Sequence, residues 1–327
     1  MGNAVKHPRR RLLHLALSTI ALPAATRIAW AFDYPTRPVH IVVGFAAGIN
    51  PDIIGRLIAQ SLSRQFKQQF IVDNRPGAAS NIATEAVVHA PPDGYTLLAV
   101  TSTNTVNATL YEKLSFDFVR DIAPVAGTVR LPELLVATPS FPAKTVPELI
   151  AYSKVNPAKV TMASPGVGSA AHVIGELFKA MTGAELLHVP YRASYMTDLM
   201  AGQVQVAFCP LAQSVEYIKA GKLRALAATG GLRSEILPDV PAVAEYVPGF
   251  EEYVWDGIGA PKDTPAEIID NLNNAIKNTL TDPDMRARIV SMGAEPMTMT
   301  PAEFGEFIAA ETEKWARVIK LAGIKPE

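Results

Sequence analysis

The chain has 327 residues, 49% of them hydrophobic and only 19% charged, which suits two lobes with sizeable cores and excludes a disordered or low-complexity protein. A single cysteine, Cys209, excludes an intrachain disulfide and a cysteine-based metal cluster. No run of 18 or more apolar residues follows the N-terminus, so the body is expected to be soluble.

The first 31 residues are a different material. Lys6, Arg9, Arg10, Arg11 and Arg27 supply five positive charges without an acid, and the apolar stretch from Leu12 to about Ala25 is short for a bilayer span. Ala29-Trp30-Ala31 then has the small-x-small pattern of a signal-peptidase site. A cleavable signal peptide over 1–31 and export to the periplasm are expected, by the Sec route or, given Arg9-Arg10-Arg11-Leu12-Leu13, the twin-arginine route. Its removal takes the 30 basic residues to 25 against 31 acidic ones, a formal net of −6. With no basic stripe left, nucleic acid is not an expected partner, and any anion must be held by local geometry.

From Val39 the chain alternates short β-type runs with helical patterns, the signature of mostly parallel α/β layers. Val39–Val43 reads as a buried strand that runs through Gly44-Phe45-Ala46-Ala47-Gly48-Ile49 into a helix. Asn50 is the expected N-cap, Pro51 the first helical residue and Asp52 the acid of the first turn, with Ile53, Ile54, Leu57, Ile58 and Leu62 as the buried face. A loop at a strand's carboxyl end beside a helix N-terminus makes an anion site without a cationic side chain. Phe70–Asp73 and Thr96–Val100 are the next strands. The latter ends in Thr101-Ser102-Thr103-Asn104 on the same edge, which makes Ser102 and Thr103 candidate ligand contacts or plain caps.

A second cycle follows Pro124-Val125. Leu134–Ala137 is a strand, Thr145-Val146-Pro147-Glu148 a capping box, and Val160–Ala163 a strand that runs into Ser164-Pro165-Gly166-Val167-Gly168-Ser169-Ala170-Ala171-His172. This repeats the opening design. Ser169 is placed to cap the helix and offer its hydroxyl to a ligand oxygen, and Gly168 allows close backbone approach. His172, in the first helical turn, is a candidate donor or a structural histidine. Gly166-x-Gly168-x-x-Ala171 also fits a loose dinucleotide fingerprint, the alternative enzyme reading, but Glu185 opens the following strand Glu185–Val189 where an acid should close it. Arg192, just after that strand, is the candidate cation for a carboxylate. Val204–Phe208, Arg224–Ala228 and Tyr253–Ala260 are further strands. Thr264-Pro265-Ala266-Glu267 and Thr300-Pro301-Ala302-Glu303 read as capping boxes of two terminal helices whose apolar stripes include Leu272, Ile276, Phe304, Ile308 and Trp315.

Several segments together resemble the substrate-binding proteins of tripartite tricarboxylate transporters, the Bug or TctC family. These are Tyr34-Pro35-x-Arg37-Pro38-Val39, Asp52-x-x-Gly55-Arg56, Asn74-Arg75-Pro76-Gly77-Ala78, Pro92-Asp93-Gly94-Tyr95-Thr96-Leu97-Leu98, His188-Val189-Pro190-Tyr191-Arg192 and Gly202-Gln203-Val204. The resemblance implies a two-lobed periplasmic-binding-protein fold (type II-like) that closes on a small organic anion. It places first-loop contacts on Phe45, Ala46, Ala47 and Gly48, and second-lobe contacts on Gly168, Ser169 and Ala170. The chain departs from the family's first-loop pattern: Ala46 and Ala47 replace two prolines and Ile49, at the mouth, replaces a glycine. The segment after Arg192 is shorter than the common form, and Cys209 stands where an aspartate is frequent. With Asn50, Ser102, Thr103, His172 and Arg192 these complete the candidate site. Lobe 1 is expected over 32–130 and 253–327 and lobe 2 over 131–252, in a monomer without a cofactor or metal. The expected partners are a small carboxylate, whether a di- or tricarboxylate, an acidic amino acid or an aromatic acid, and the membrane components of a transporter, with a ligand sensor feeding a membrane kinase as a further alternative.

Overall fold

The computed structural model describes residues 1–2, 33–111, 113–191, 194–231, 233 and 236–326; the expected signal peptide beyond its first two residues, and Arg192, lie outside them. Residues Pro35–Glu327 cluster as one unit. Its strands are β1 (Val39–Val43), β2 (Phe70–Asn74), β3 (Thr96–Thr101), β4 (Ile122–Ala137), β5 (Thr161–Ser164), β6 (Leu187–Pro190), β7 (Val206–Pro210), β8 (Arg224–Ala228), β9 (Tyr253–Pro261) and β10 (Glu295–Pro296). The helices are α1 (Asn50–Phe66), α2 (Asn81–Val88), α3 (Ser102–Leu110), α4 (Phe118–Asp121), α5 (Val146–Val155), α6 (Ala170–Thr182), α7 (Met196–Ala201), α8 (Leu211–Lys219), α9 (Ala266–Thr281), α10 (Pro283–Ser291) and α11 (Pro301–Ala322). No helix among the described residues is long and apolar enough to cross a membrane.

Two parallel three-stranded groups are joined by two antiparallel crossing strands. β1 lies between β2 and β3, and β5 between β6 and β7, all parallel. β9 runs antiparallel to β3 and to the first part of β4, from Ile122 to Pro132. From Glu133 to Ala137 the same β4 pairs instead with β7 and β8. Strand β4 thus changes sheets between Pro132 and Glu133. The return crossing sits beside it, where Thr229 N–H donates to the Glu133 carbonyl and Glu252 N–H to the Thr229 carbonyl, both at 2.8 Å. The buried Thr229 hydroxyl ties these strands side-on: it accepts from Glu133 N–H at 2.8 Å and donates to the Glu252 carbonyl at 2.7 Å.

Helix α11 feeds both cores. Its Phe304 and Ile308 pack with Val100, Ile122 and Trp255 on one side, whereas Trp315, Val318 and Ile319 pack with Leu135, Ile174 and Phe178 on the other. One carboxylate anchors the changeover, since Glu311 Oε2 accepts from both Trp255 Nε1 and Trp315 Nε1 at 3.2 Å.

Local departures from the sequence reading have identifiable causes. Helix α1 starts one residue early, with Ile49 as its cap and Pro51 at its second position: Ile53 N–H already bonds the Ile49 carbonyl at 3.0 Å, no side chain caps the first turn, and the Asp52 carboxylate reaches back to Gly48 N–H before it. Ile53 is 38% exposed; the buried stripe runs Ile54, Leu57, Ile58, Leu62. The Thr145 and Thr300 caps form as expected, but the Thr264 hydroxyl donates to the Pro261 carbonyl and leaves Pro265 at the cap of α9. Strand β4 begins twelve residues before the expected Leu134, and bulges at Pro124/Ala126 and Gly127/Val129 carry its pairing with β9 past the Pro124-Val125 boundary.

Candidate functional site

Four helices among the described residues begin at the wall of one cavity of about 400 Å³ where the two sheets meet. Asn50 and Pro51 of α1, Ser102 and Thr103 of α3, Ala170 and Ala171 of α6, and Gln213 of α8 all line it. The first N–H groups of a helix have no intrahelical acceptor and carry the positive end of its dipole, so four such ends make this wall suited to an anion.

Each loop is held from behind. In the first, buried Asp52 accepts from Gly48 N–H (2.9 Å), Arg56 Nε (3.0 Å) and Asn74 Nδ2 (2.9 Å). Burial opposes its charge, but these hydrogen bonds prevail and keep its carboxyl below the usual range. Asn74 Nδ2 also donates to the Phe45 carbonyl. In the second loop, Ser169 caps α6 by accepting from His172 N–H at 3.3 Å, while its own proton goes to the Gly166 carbonyl at 2.7 Å. Gly168 adopts φ +77°, and a Cβ there would overlap Leu110 of α3, so only glycine lets the loop lie on that helix.

Two neutral histidines brace this loop. The His172 ring lies flat on His188, centroids 3.7 Å apart, and its Nδ1 accepts from Gly168 N–H at 3.1 Å. His188 Nε2 sits 2.6 Å from the Ser164 hydroxyl. Burial, with the neighbouring His188 and Lys179, lowers His172 to about 3; burial and Lys179 lower His188 to about 4.

The sequence candidates therefore divide by position. Phe45, Ile49, Asn50, Ser102, Thr103, Gly168, Ser169 and Ala170 line the cavity together. Ala46, Ala47 and Gly48 form an exposed turn outside its lining, with Gly48 N–H engaged by Asp52. His172 is buried behind the second loop. Cys209 is fully buried among Leu134, Ala207 and Leu211, its thiol pushed up to about 12, first by burial. Arg192 lies outside the described residues.

Ser102 gains in importance, because its Oγ is buried without a protein partner among the described residues. Sequence reasoning missed the floor. Leu131, Glu133, Val254 and Asp256 line the cavity from the crossing strands, with Tyr195 and Gln213 beside them. Alternation along β9 sends Trp255 to the core and Val254 and Asp256 to the cavity side. Both acids are nearly inaccessible, at 3% for Glu133 and 4% for Asp256, and burial alone pushes Glu133 up to about 8 and Asp256 to about 7. The readable signal was an acid at the inward position of an apolar run. As for a dinucleotide, β6 ends in Val189-Pro190, without the acid that such a site needs.

Residues 54–324 match the profile of the tripartite tricarboxylate transporter family receptor, TctC. Among solved structures, Rpa4515 of R. palustris with adipate is 37% identical, with a TM-score of 0.80 over 90% of this chain and all of that one. The periplasmic binding protein BugD is 32% identical (TM-score 0.76; 90% and 100% covered), and MatC from Rhodopseudomonas palustris with bound malate is 29% identical (0.75; 88% and 100%). The α/β architecture with its cavity between sheets is the periplasmic-binding-protein fold of these neighbours, and the chain belongs to the TctC family of periplasmic solute-binding proteins.

Proposed function

We propose that this protein is an exported receptor that captures a small carboxylate in the cavity between its sheets, closes by a hinge at Pro132-Glu133 and Glu252-Tyr253, and delivers the ligand as a monomer to the membrane components of a tripartite transporter. The observation that carries this reading is the convergence of four helix N-termini and the unpartnered Ser102 hydroxyl on one cavity. That arrangement holds an anion without a cationic side chain. The adipate and malate of two structural relatives are acids of suitable size. Contacts from both loops favour the closed form, because a ligand shifts a conformational equilibrium only by its differential affinity for the two states. The candidate contacts are Phe45, Ile49, Asn50, Ser102, Thr103, Gly168, Ser169 and Ala170, backed by Asp52 and the histidine pair.

Isothermal titration with a panel of organic acids tests the proposal. One-to-one binding is expected, with Ser102→Ala weakening it roughly tenfold, the effect of losing a hydrogen bond of about 1.5 kcal/mol to a charged oxygen. Wild-type affinity in a folded Ser102→Ala protein would remove that hydroxyl from the site.

A further inference from the structure

The two acids of the cavity floor are unexplained by a receptor for plain dicarboxylates. Glu133 Oε2 and both carboxylate oxygens of Asp256 are buried and make no hydrogen bond to protein among the described residues. Burying a carboxyl without a partner is costly, and a second negative group brought beside it raises the cost. Asp256 stands opposite Thr101 on β3, next to Ser102, and opposite Val129 on β4. Glu133, four residues further along β4, lies roughly 13 Å away along the strand. Near Glu133 are Tyr195 and Cys209, whose protons its charge helps retain. Burial is the cause that raises each acid's pKa, and neither acid stands in an ion pair with a described residue within 4.0 Å.

We propose that the ligand carries an ammonium group as well as its carboxylate, the carboxylate at the helix N-termini and the ammonium against Asp256, with Glu133 a second acid at the hinge. Asp256 takes the first role because both of its oxygens are available. A cation there supplies what the protein does not. This assignment rests on the carboxylate-receptor reading and narrows its substrate class to amino acids in the broad sense. It also sets a pH dependence. Because Asp256 ionises near 7 in the free protein and must be ionised to hold an ammonium, affinity rises about tenfold between pH 6 and pH 8.

The test is titration of the full mature chain with matched pairs: L-glutamate against glutarate, and 6-aminohexanoate against adipate, at pH 6, 7 and 8. The amine-bearing member of at least one pair should bind tighter, with the stated rise in affinity. Asp256→Asn, which keeps shape and removes charge, should weaken it about tenfold to a hundredfold and leave the des-amino partner unweakened. Glu133→Gln should do less. Preference for glutarate or adipate, with affinity falling as pH rises, overturns the ammonium assignment and leaves the carboxylate receptor standing. A loss confined to Glu133→Gln also overturns it. Silence of every acid in the panel, with the protein folded by circular dichroism, overturns both.

Discussion

Asp256→Asn should stabilise the protein, and by an amount that depends on pH in a fixed direction. The side chain is 4% exposed and burial lifts its pKa from 3.8 to about 7. Between those values the folded state keeps a proton that the unfolded state has released. Stability contributed by the protonated form is therefore fully present below pH 3.8 and is lost as pH rises to about 7. At about 1.4 kcal/mol per pKa unit, the wild type forfeits on the order of 4 kcal/mol across that window. The asparagine variant, with no titrating group at 256, does not. Urea denaturation of both proteins at pH 4.5, 5.5, 6.5, 7.5 and 8.5 reads the difference directly. The advantage of Asp256→Asn should be small at pH 4.5, grow by about 1.4 kcal/mol per unit, and level off above pH 7.5. Histidine contributions, common to both proteins, cancel in the subtraction. A difference that is flat with pH would refute the claim that Asp256 is buried without a charge partner.

Four other perturbations probe the scaffold around the cavity. Thr229→Val keeps the shape of the strand crossing but leaves Glu133 N–H without its acceptor, and should cost about 2 kcal/mol in urea denaturation. Gly168→Ala places a Cβ against Leu110 at φ +77°, and should cost at least about 1–2 kcal/mol of stability and weaken ligand binding in calorimetry. Asp52→Ala frees Gly48, Asn74 and the half-exposed Arg56, with an expected loss of about 2 kcal/mol and a larger entropic penalty on ligand binding. His172 and His188 titrate in the opposite sense from Asp256: their folded pKa values lie below the unfolded 6.5, so stability falls as pH drops from about 6.5 towards 4. His188→Asn should flatten that acid limb in thermal melts.

The two loops were readable because their information is local: a short apolar strand, small residues, then a cap and a helical stripe. Such runs place Ser102, Gly168 and Ser169 from the sequence alone. Strand β4 was half-hidden because the sequence reading set a boundary at Pro124-Val125 and began the strand at Leu134, whereas in the fold β9 pairs with Ile122 to Pro132 and bulges at Pro124/Ala126 and Gly127/Val129 keep the ladder going. The floor acids were invisible for a related reason. Glu133 and Asp256 meet one cavity only through the pairing of β4 with β9, a contact between segments more than a hundred residues apart. The backing roles of Asp52 and His172 were also tertiary: each carries a residue type expected at a helix start, but its partners, Asn74 and His188, come from neighbouring strands.

Native mass spectrometry of the protein, isolated without added ligand and then given the panel of acids, addresses the central claim most directly. The account predicts one small carboxylate per chain, retained or taken up, with Ser102→Ala needing about tenfold more acid for the same occupancy. A folded protein that takes up no acid, or that carries a nucleotide in its place, would contradict it.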